Sequence, residues 1–153
     1  MFTLPNDTDP FPALPKDVMK GLLTALETQW EEMYVGLVCS FFAEYTPGEE
    51  IPGYIQGAID DAGVMGGEIA RGIQVLVGPR DFRPTIGEIS TRTLIIAGRK
   101  DHLTPVGAGE WMAGHLGGET EMIVYEEAGH NTFAGPFAKR FNEDVAEFLR
   151  KST

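Results

Sequence analysis

Two stretches of this chain share a pattern that leaves little freedom of fold. Thr93-Leu-Ile-Ile-Ala-Gly98 runs into Arg99-Lys100-Asp101-His102-Leu103-Thr104-Pro105, and Glu121-Met-Ile-Val-Tyr125 runs into Glu126-Glu127-Ala128-Gly129-His130. A run that is apolar at successive positions has both faces of a strand to bury, as a parallel strand covered by helices does. The residues between the two runs suit a helix. Thr104 is placed to cap it with Pro105 at its first position, and Trp111, Met112 and Leu116 are expected to face the sheet. A right-handed crossover then makes the second strand parallel to the first. Both polar turns fall at the carboxyl ends of adjacent strands, the edge at which open α/β sheets bind ligands. One turn carries Asp101 and the other His130, so the pattern sets an acid beside a base.

The chain ahead of these strands is helical in pattern. Residues 1–15 hold Pro5, Pro10, Pro12 and Pro15 and read as an entry loop, because each proline removes a donor and restricts its predecessor. From Lys16 to Tyr45, apolar residues including Leu23, Leu26, Trp30, Met33, Leu37 and Phe41 recur at spacings of three and four, which predicts a long helix with a break near Gly36. A short helix at Tyr54–Ile59 and another over Met65–Val77 follow. Gly63, Gly66, Gly67, Gly72 and Gly78 weaken them, and permit close packing or movement. After the second strand, a last helix at about Pro136–Arg150 would bury Phe137, Phe141, Val145 and Phe148.

An apolar strand ending in Gly98, Asp101, then Leu103-Thr104-Pro105, a helix, a second strand and Ala128-Gly129-His130 resembles the last part of an α/β-hydrolase. The resemblance implies an α/β fold class: a helical cap (lid) region at 16–80, then, over 81–153, the last two parallel strands and helices of the hydrolase sheet. It implies that Asp101 orients His130 and that His130 activates a nucleophile from an earlier strand. That first member is missing: no Gly-x-Ser-x-Gly occurs, and the only serines are Ser40, Ser90 and Ser152. The expectation is therefore an incomplete fold. A two-stranded parallel sheet is a poor independent unit with an open apolar edge. The chain should pair with a complementing N-terminal half, dimerise through that edge, or fold only marginally.

Composition narrows the function classes. The formal charge is −11 over 153 residues, with no Lys/Arg cluster to track phosphates, which argues against nucleic acid and anionic membrane as partners. No stretch reaches about 18 uninterrupted apolar residues and the start lacks a basic, then apolar, leader, so a soluble cytoplasmic protein is expected. The single cysteine, Cys39, excludes an intrachain disulfide framework and reads as inert core. His102, His115 and His130 lack metal-ligand spacing, so neither a metal nor another cofactor is expected. His115 reads as a C-terminal helix residue and Ser40 as a helical serine without the tight turn that exposes a nucleophile. Trp30, Met33 and Phe41 could line an apolar pocket, although such a stripe also suits a core. A single His130 would suit a surface turn, and Asp101 a loop-supporting aspartate. Taken together they fit the α/β-hydrolase resemblance, which implies hydrolysis of a small apolar ester- or lactone-like substrate of the lactonase, esterase, epoxide-hydrolase or cofactor-free haloperoxidase kind, with the chain expected to be inactive alone. A silent binding module for a small molecule or protein, and a fragment without selected activity, are the alternatives.

Overall fold

The computed structural model of the protein describes residues 16–67, 69, 72 and 82–151. The expected entry loop at 1–15, most of the expected Met65–Val77 helix and Ser152 lie outside them. The described residues form two compact units: one holds those up to Ser40 together with Ile55–Phe82, the other Phe41–Tyr54 together with those from Arg83 onward. None of the helices is long and apolar enough to cross a membrane, among the described residues.

In the first unit the expected long helix is two helices, α1 (Lys16–Thr28) and α2 (Trp30–Cys39). The break falls at Gln29, with φ −133° and ψ 27°, and not near Gly36, which sits inside α2. Its local cause is in the residues before it. The hydroxyls of Thr24 and Thr28 donate to the carbonyls of Lys20 and Thr24, a back-bonding that competes with and bends a helix. Ser40 caps the end of α2 and donates its hydroxyl to the Leu37 carbonyl, so the helix stops short of Tyr45. Leu26 and Trp30 are buried, with Met33, Tyr34, Leu37, Ala62 and Met65 packed against them. Trp30 stacks on Tyr34 at 5.4 Å. A third helix, α3 (Gly53–Met65), buries Ile55 and Ile59. Gly67 lies where a Cβ would meet the Leu26 carbonyl and the Trp30 Cβ at 2.8 Å, and Gly63 faces the Tyr34 hydroxyl, so these two glycines serve close helix packing. Gly66 has φ +74° just beyond α3, a left-handed terminus that favours glycine.

In the second unit, β1 (Thr93–Gly98) and β2 (Thr120–Tyr125) pair in parallel, in register from Thr93 opposite Thr120 to Gly98 opposite Tyr125. The helix α4 (Val106–His115) connects them. Gly109 is the point at which it meets the sheet, where a Cβ would touch Met122 Cε at 3.0 Å and Ile95 Cγ2 at 3.3 Å. A 3-10 turn at Gly135–Phe137 leads into α5 (Ala138–Arg150). The expected burial of the apolar face of this last helix is only partial. Phe137, Phe141, Val145 and Phe148 are half-buried, because two strands about 5 Å apart make too narrow a platform to cover a helix face. Its aromatic residues find other partners: Phe137 tilts against Tyr125, Phe141 meets Phe133 edge-on, and the Arg92 guanidinium lies 3.9 Å from the Phe148 ring centre. Arg92 also donates to the Phe148 carbonyl at 2.8 Å and pairs with Glu121, joining the end of α5 to the start of β2.

Tyr125 is the centre of this unit and is fully buried. Its hydroxyl donates to Asp144 Oδ2 at 2.7 Å, while Arg140 lies 4.2 Å over its ring. Burial pushes the phenol well above its ordinary range and the Asp144 carboxylate adds to this, against the opposing Arg140 charge. Tyr125 is therefore a neutral donor across the working pH range, fixing α5 to the last residue of β2.

Candidate active site

The site is made by the two turns that leave β1 and β2, and main-chain contacts hold them together. Arg99 N–H donates to the Tyr125 carbonyl and Lys100 N–H to the Ala128 carbonyl, both at 3.0 Å. Gly98 makes this possible, since a side chain there would fall on the carbonyl oxygens of Ala128 and Gly129. Outside, Arg99 chelates Glu126 through two 3.1 Å bonds and Lys100 pairs with Glu127. These exposed pairs contribute little to stability, but they tie the same two turns. Lys100 is thereby engaged by Glu127, and His102 is exposed.

Asp101 and His130 meet. His130 Nδ1 lies 2.9 Å from Asp101 Oδ2. The Asp101 side chain is only 6% exposed whereas that of His130 is 37% exposed, so the carboxylate is the enclosed partner and the imidazole the accessible one. Asp101 accepts further hydrogen bonds from Leu103 N–H at 2.8 Å and Thr104 N–H at 3.0 Å, both on Oδ1, and from the Thr104 hydroxyl at 2.6 Å on Oδ2. Burial by itself would raise its pKa. The bonds from Thr104, His130 and Leu103 outweigh that and hold it below the ordinary carboxylate value. Asp101 is accordingly ionised, with the four acceptor positions of a carboxylate filled.

The floor of the His130 turn comes from a remote part of the sequence. Asn131 N–H donates to the Phe41 carbonyl at 3.1 Å, and a Cβ on Gly129 would stand 2.7 Å from Ala43 N and 2.8 Å from the Phe41 carbonyl oxygen. The Phe41 ring itself lies 5.3 Å from the imidazole, tilted by 55°. Of the three apolar residues read as pocket candidates, Phe41 is thus brought to His130, while Trp30 and Met33 belong to the core cluster of the first unit. His115 ends α4, bonding the Trp111 carbonyl through Nδ1 at 2.7 Å and stacking on the Trp111 ring. Burial raises the Cys39 thiol pKa, consistent with an unreactive thiol. Among the described residues no group of three or more His, Cys, Asp and Glu is arranged to hold a metal ion.

Thr104 departs from the role its sequence position suggests. Pro105, not Thr104, occupies the cap position of α4, and no side chain caps that helix. The Thr104 hydroxyl is directed to Asp101 instead, because an ionised carboxylate three residues back is a stronger acceptor than a helix N–H is a donor. An Asp followed three residues later by Thr was the available signal, a spacing typical of side-chain-bonded turns.

Arranged this way, the pair can accept a proton at the exposed imidazole while the enclosed carboxylate stabilises the resulting charge. Comparison with known proteins supplies the context. A family model described as TAP-like protein matches residues 76–153, half of the chain. A non-heme chloroperoxidase, CPO-A1, of Kitasatospora aureofaciens is 26% identical over 143 residues, covering 90% of this chain and 51% of that protein. A 2-hydroxy-6-oxononadienedioate/2-hydroxy-6-oxononatrienedioate hydrolase of Klebsiella pneumoniae is 38% identical over 72 residues, covering 47% of this chain and 24% of that one. Among solved structures, an esterase (EaEST) from Exiguobacterium antarcticum superposes with a TM-score of 0.76 at 27% identity, over 97% of this chain and 53% of the esterase. The chain thus spans about half the length of the chloroperoxidase and of the esterase, and matches a smaller part of the dienedioate hydrolase.

Proposed function

We propose, from the premise that this chain belongs to the TAP-like family of the α/β-hydrolase superfamily, that it carries the acid and base of a hydrolase acting on small ester- or lactone-like substrates. The observation that supports this most is the 2.9 Å bond between His130 Nδ1 and Asp101 Oδ2, formed by turns at the carboxyl ends of adjacent parallel strands. In this reading His130 takes a proton from a nucleophile through Nε2 and later returns it to the leaving group. Asp101 keeps its charge throughout and stabilises the imidazolium.

The nucleophile is supplied from outside these 153 residues. They contain no Gly-x-Ser-x-Gly, and the Ser40 hydroxyl is bonded to a helix carbonyl. The helical region serves as the lid. Phe41, with its ring against the imidazole, is the pocket residue favoured by position. Trp30 and Met33 shape the lid from within its core.

Expressed alone, the 153 residues should show no turnover of p-nitrophenyl esters. Joined to, or co-expressed with, a segment that supplies the earlier strands and a nucleophile elbow, they should gain it, and His130→Ala should then remove about four orders of magnitude of activity. Turnover by the isolated chain that His130→Ala abolishes would overturn the off-chain nucleophile. A complemented enzyme indifferent to His130→Ala would overturn the role of the pair. A complemented protein that folds, binds ligands and never turns over would shift the reading to a binding module.

A further inference from the structure

Thr104 touches both members of the pair at once. Its hydroxyl oxygen is 2.6 Å from Asp101 Oδ2 and 3.3 Å from His130 Nδ1, and its main-chain N–H is on Asp101 Oδ1. An ionised carboxylate accepts hydrogen bonds and donates none, so the hydroxyl hydrogen is committed to Oδ2. The face that Thr104 turns toward Nδ1 is then a lone pair. Nδ1 thus looks at two acceptors, Oδ2 and Oγ1, and only one assignment of the neutral ring satisfies both: hydrogen on Nδ1, lone pair on Nε2.

The Leu103 and Thr104 N–H groups hold Oδ1, but without the hydroxyl the Oδ2 that faces the ring has the imidazole as its one partner among the described residues, and the terminal torsion, broad and nearly two-fold, is restrained from one side alone. The ring could then shift with that oxygen. The threonine closes this option. Its N–H and O–H grip one oxygen each, fixing the carboxylate plane, and its oxygen gives the Nδ1 hydrogen a second place to point. We infer that Thr104 is a positioning residue that holds His130 in the Nδ1–H tautomer and presents Nε2 as the base. The consequence for turnover rests on the function proposed above; the effect on the ring does not.

The test uses the 153-residue chain with its histidine ring nitrogens labelled with nitrogen-15, observed by NMR at a pH well above the ordinary histidine range. Wild type is expected to show His130 as a single tautomer with the hydrogen on Nδ1. Thr104→Val, which keeps the shape and deletes the hydroxyl, should raise the Nε2–H form several-fold. Thr104→Ser, which keeps the hydroxyl and deletes the methyl, should match wild type. A Thr104→Val spectrum unchanged from wild type would refute the inference. So would a Thr104→Ser spectrum with mixed tautomers, and that second result remains readable if the valine variant does not fold. In a complemented enzyme, Thr104→Val should lower kcat about tenfold or more, leave KM unchanged, and be rescued by serine. If the ring responds as expected but no complemented activity is ever found, the hydrolase reading fails and the positioning role stands. If activity is found and the ring ignores Thr104→Val, the reverse holds.

Discussion

The two compact units differ in how their glycines are placed: in the helical unit Gly67, against the Leu26 carbonyl, is a close approach of main chain, but others stand open. In the helical unit, Gly21, Gly36 and Gly57 have nothing within 4 Å of where a Cβ would be, and each only weakens its helix. In the strand-bearing unit, Gly98 and Gly129 lie against other main chain, and Gly117 and Gly118 likewise against the carbonyls of Gly87 and Ser90. The first unit is held by side chains around Leu26 and Trp30, and it leaves the Trp30 indole N–H buried without a partner among the described residues. The second is held, at the turns that bear Asp101 and His130, by backbone against backbone. A surface made of side chains can give way by rotamer changes; one made of carbonyls and amides cannot. The turns bearing Asp101 and His130 are therefore held to one another by main chain, which keeps the two groups at bonding distance.

Substitutions that reverse the roles of these glycines would break the comparison if it is wrong. Gly98→Ala should be the most damaging, costing about 3 kcal/mol or more, because the methyl group would meet two carbonyl oxygens that cannot move separately. Urea unfolding followed by tryptophan fluorescence and far-ultraviolet circular dichroism would read it, and a variant as stable as wild type would remove the distinction. Tyr125→Phe should cost about 1–2 kcal/mol, since it deletes one hydrogen bond to a carboxylate while Arg140 remains close to Asp144.

Acid should act on the second unit through Asp101. Its folded pKa lies below the unfolded value, so its contribution is complete above the ordinary aspartate range, about 3.9, and is lost as pH falls through the folded value. The gap in urea midpoint between wild type and Asp101→Asn should accordingly shrink as pH is lowered through that window. A gap that does not change with pH would mean that the fold does not favour the charged carboxylate. The smallest effect is expected from Gly36→Ala, a gain of up to about 1 kcal/mol in α2, where open space receives the methyl group. A loss there would show that the helical unit is packed more tightly than it looks.

The legible parts of this molecule were those encoded within a few consecutive residues. Both strands could be read from runs apolar on two faces, and the parallel pairing from the helix-length connection between them. That Asp101 and His130 would meet followed from their places at the two strand ends. What escaped were competitions and long-range contacts. Thr104 had two acceptable partners, a helix N–H and a carboxylate, and pattern does not rank them. The break at Gln29 came from threonine hydroxyls bonding back along α1, which leaves the apolar spacing intact and so invisible to it. The half-buried state of Phe141 and Phe148 depends on how much sheet lies beneath α5, a property of the assembly and not of the helix. The Phe41 ring was among the pocket candidates, but the bond of its carbonyl to Asn131 was not, since no side-chain pattern can announce a carbonyl.

That carbonyl has a consequence for how the chain can be cut. The histidine turn is not self-supporting: Asn131 hangs from Phe41, and Gly129 rests on Ala43. A shortened version starting at Arg83 would retain both strands, Asp101 and His130, yet lack the bracket under the imidazole. Cutting the chain back to its last two strands therefore discards a support of the Asp101 and His130 turns along with the helices, because residues 41–43 are stitched to that end although the chain places them between α2 and α3.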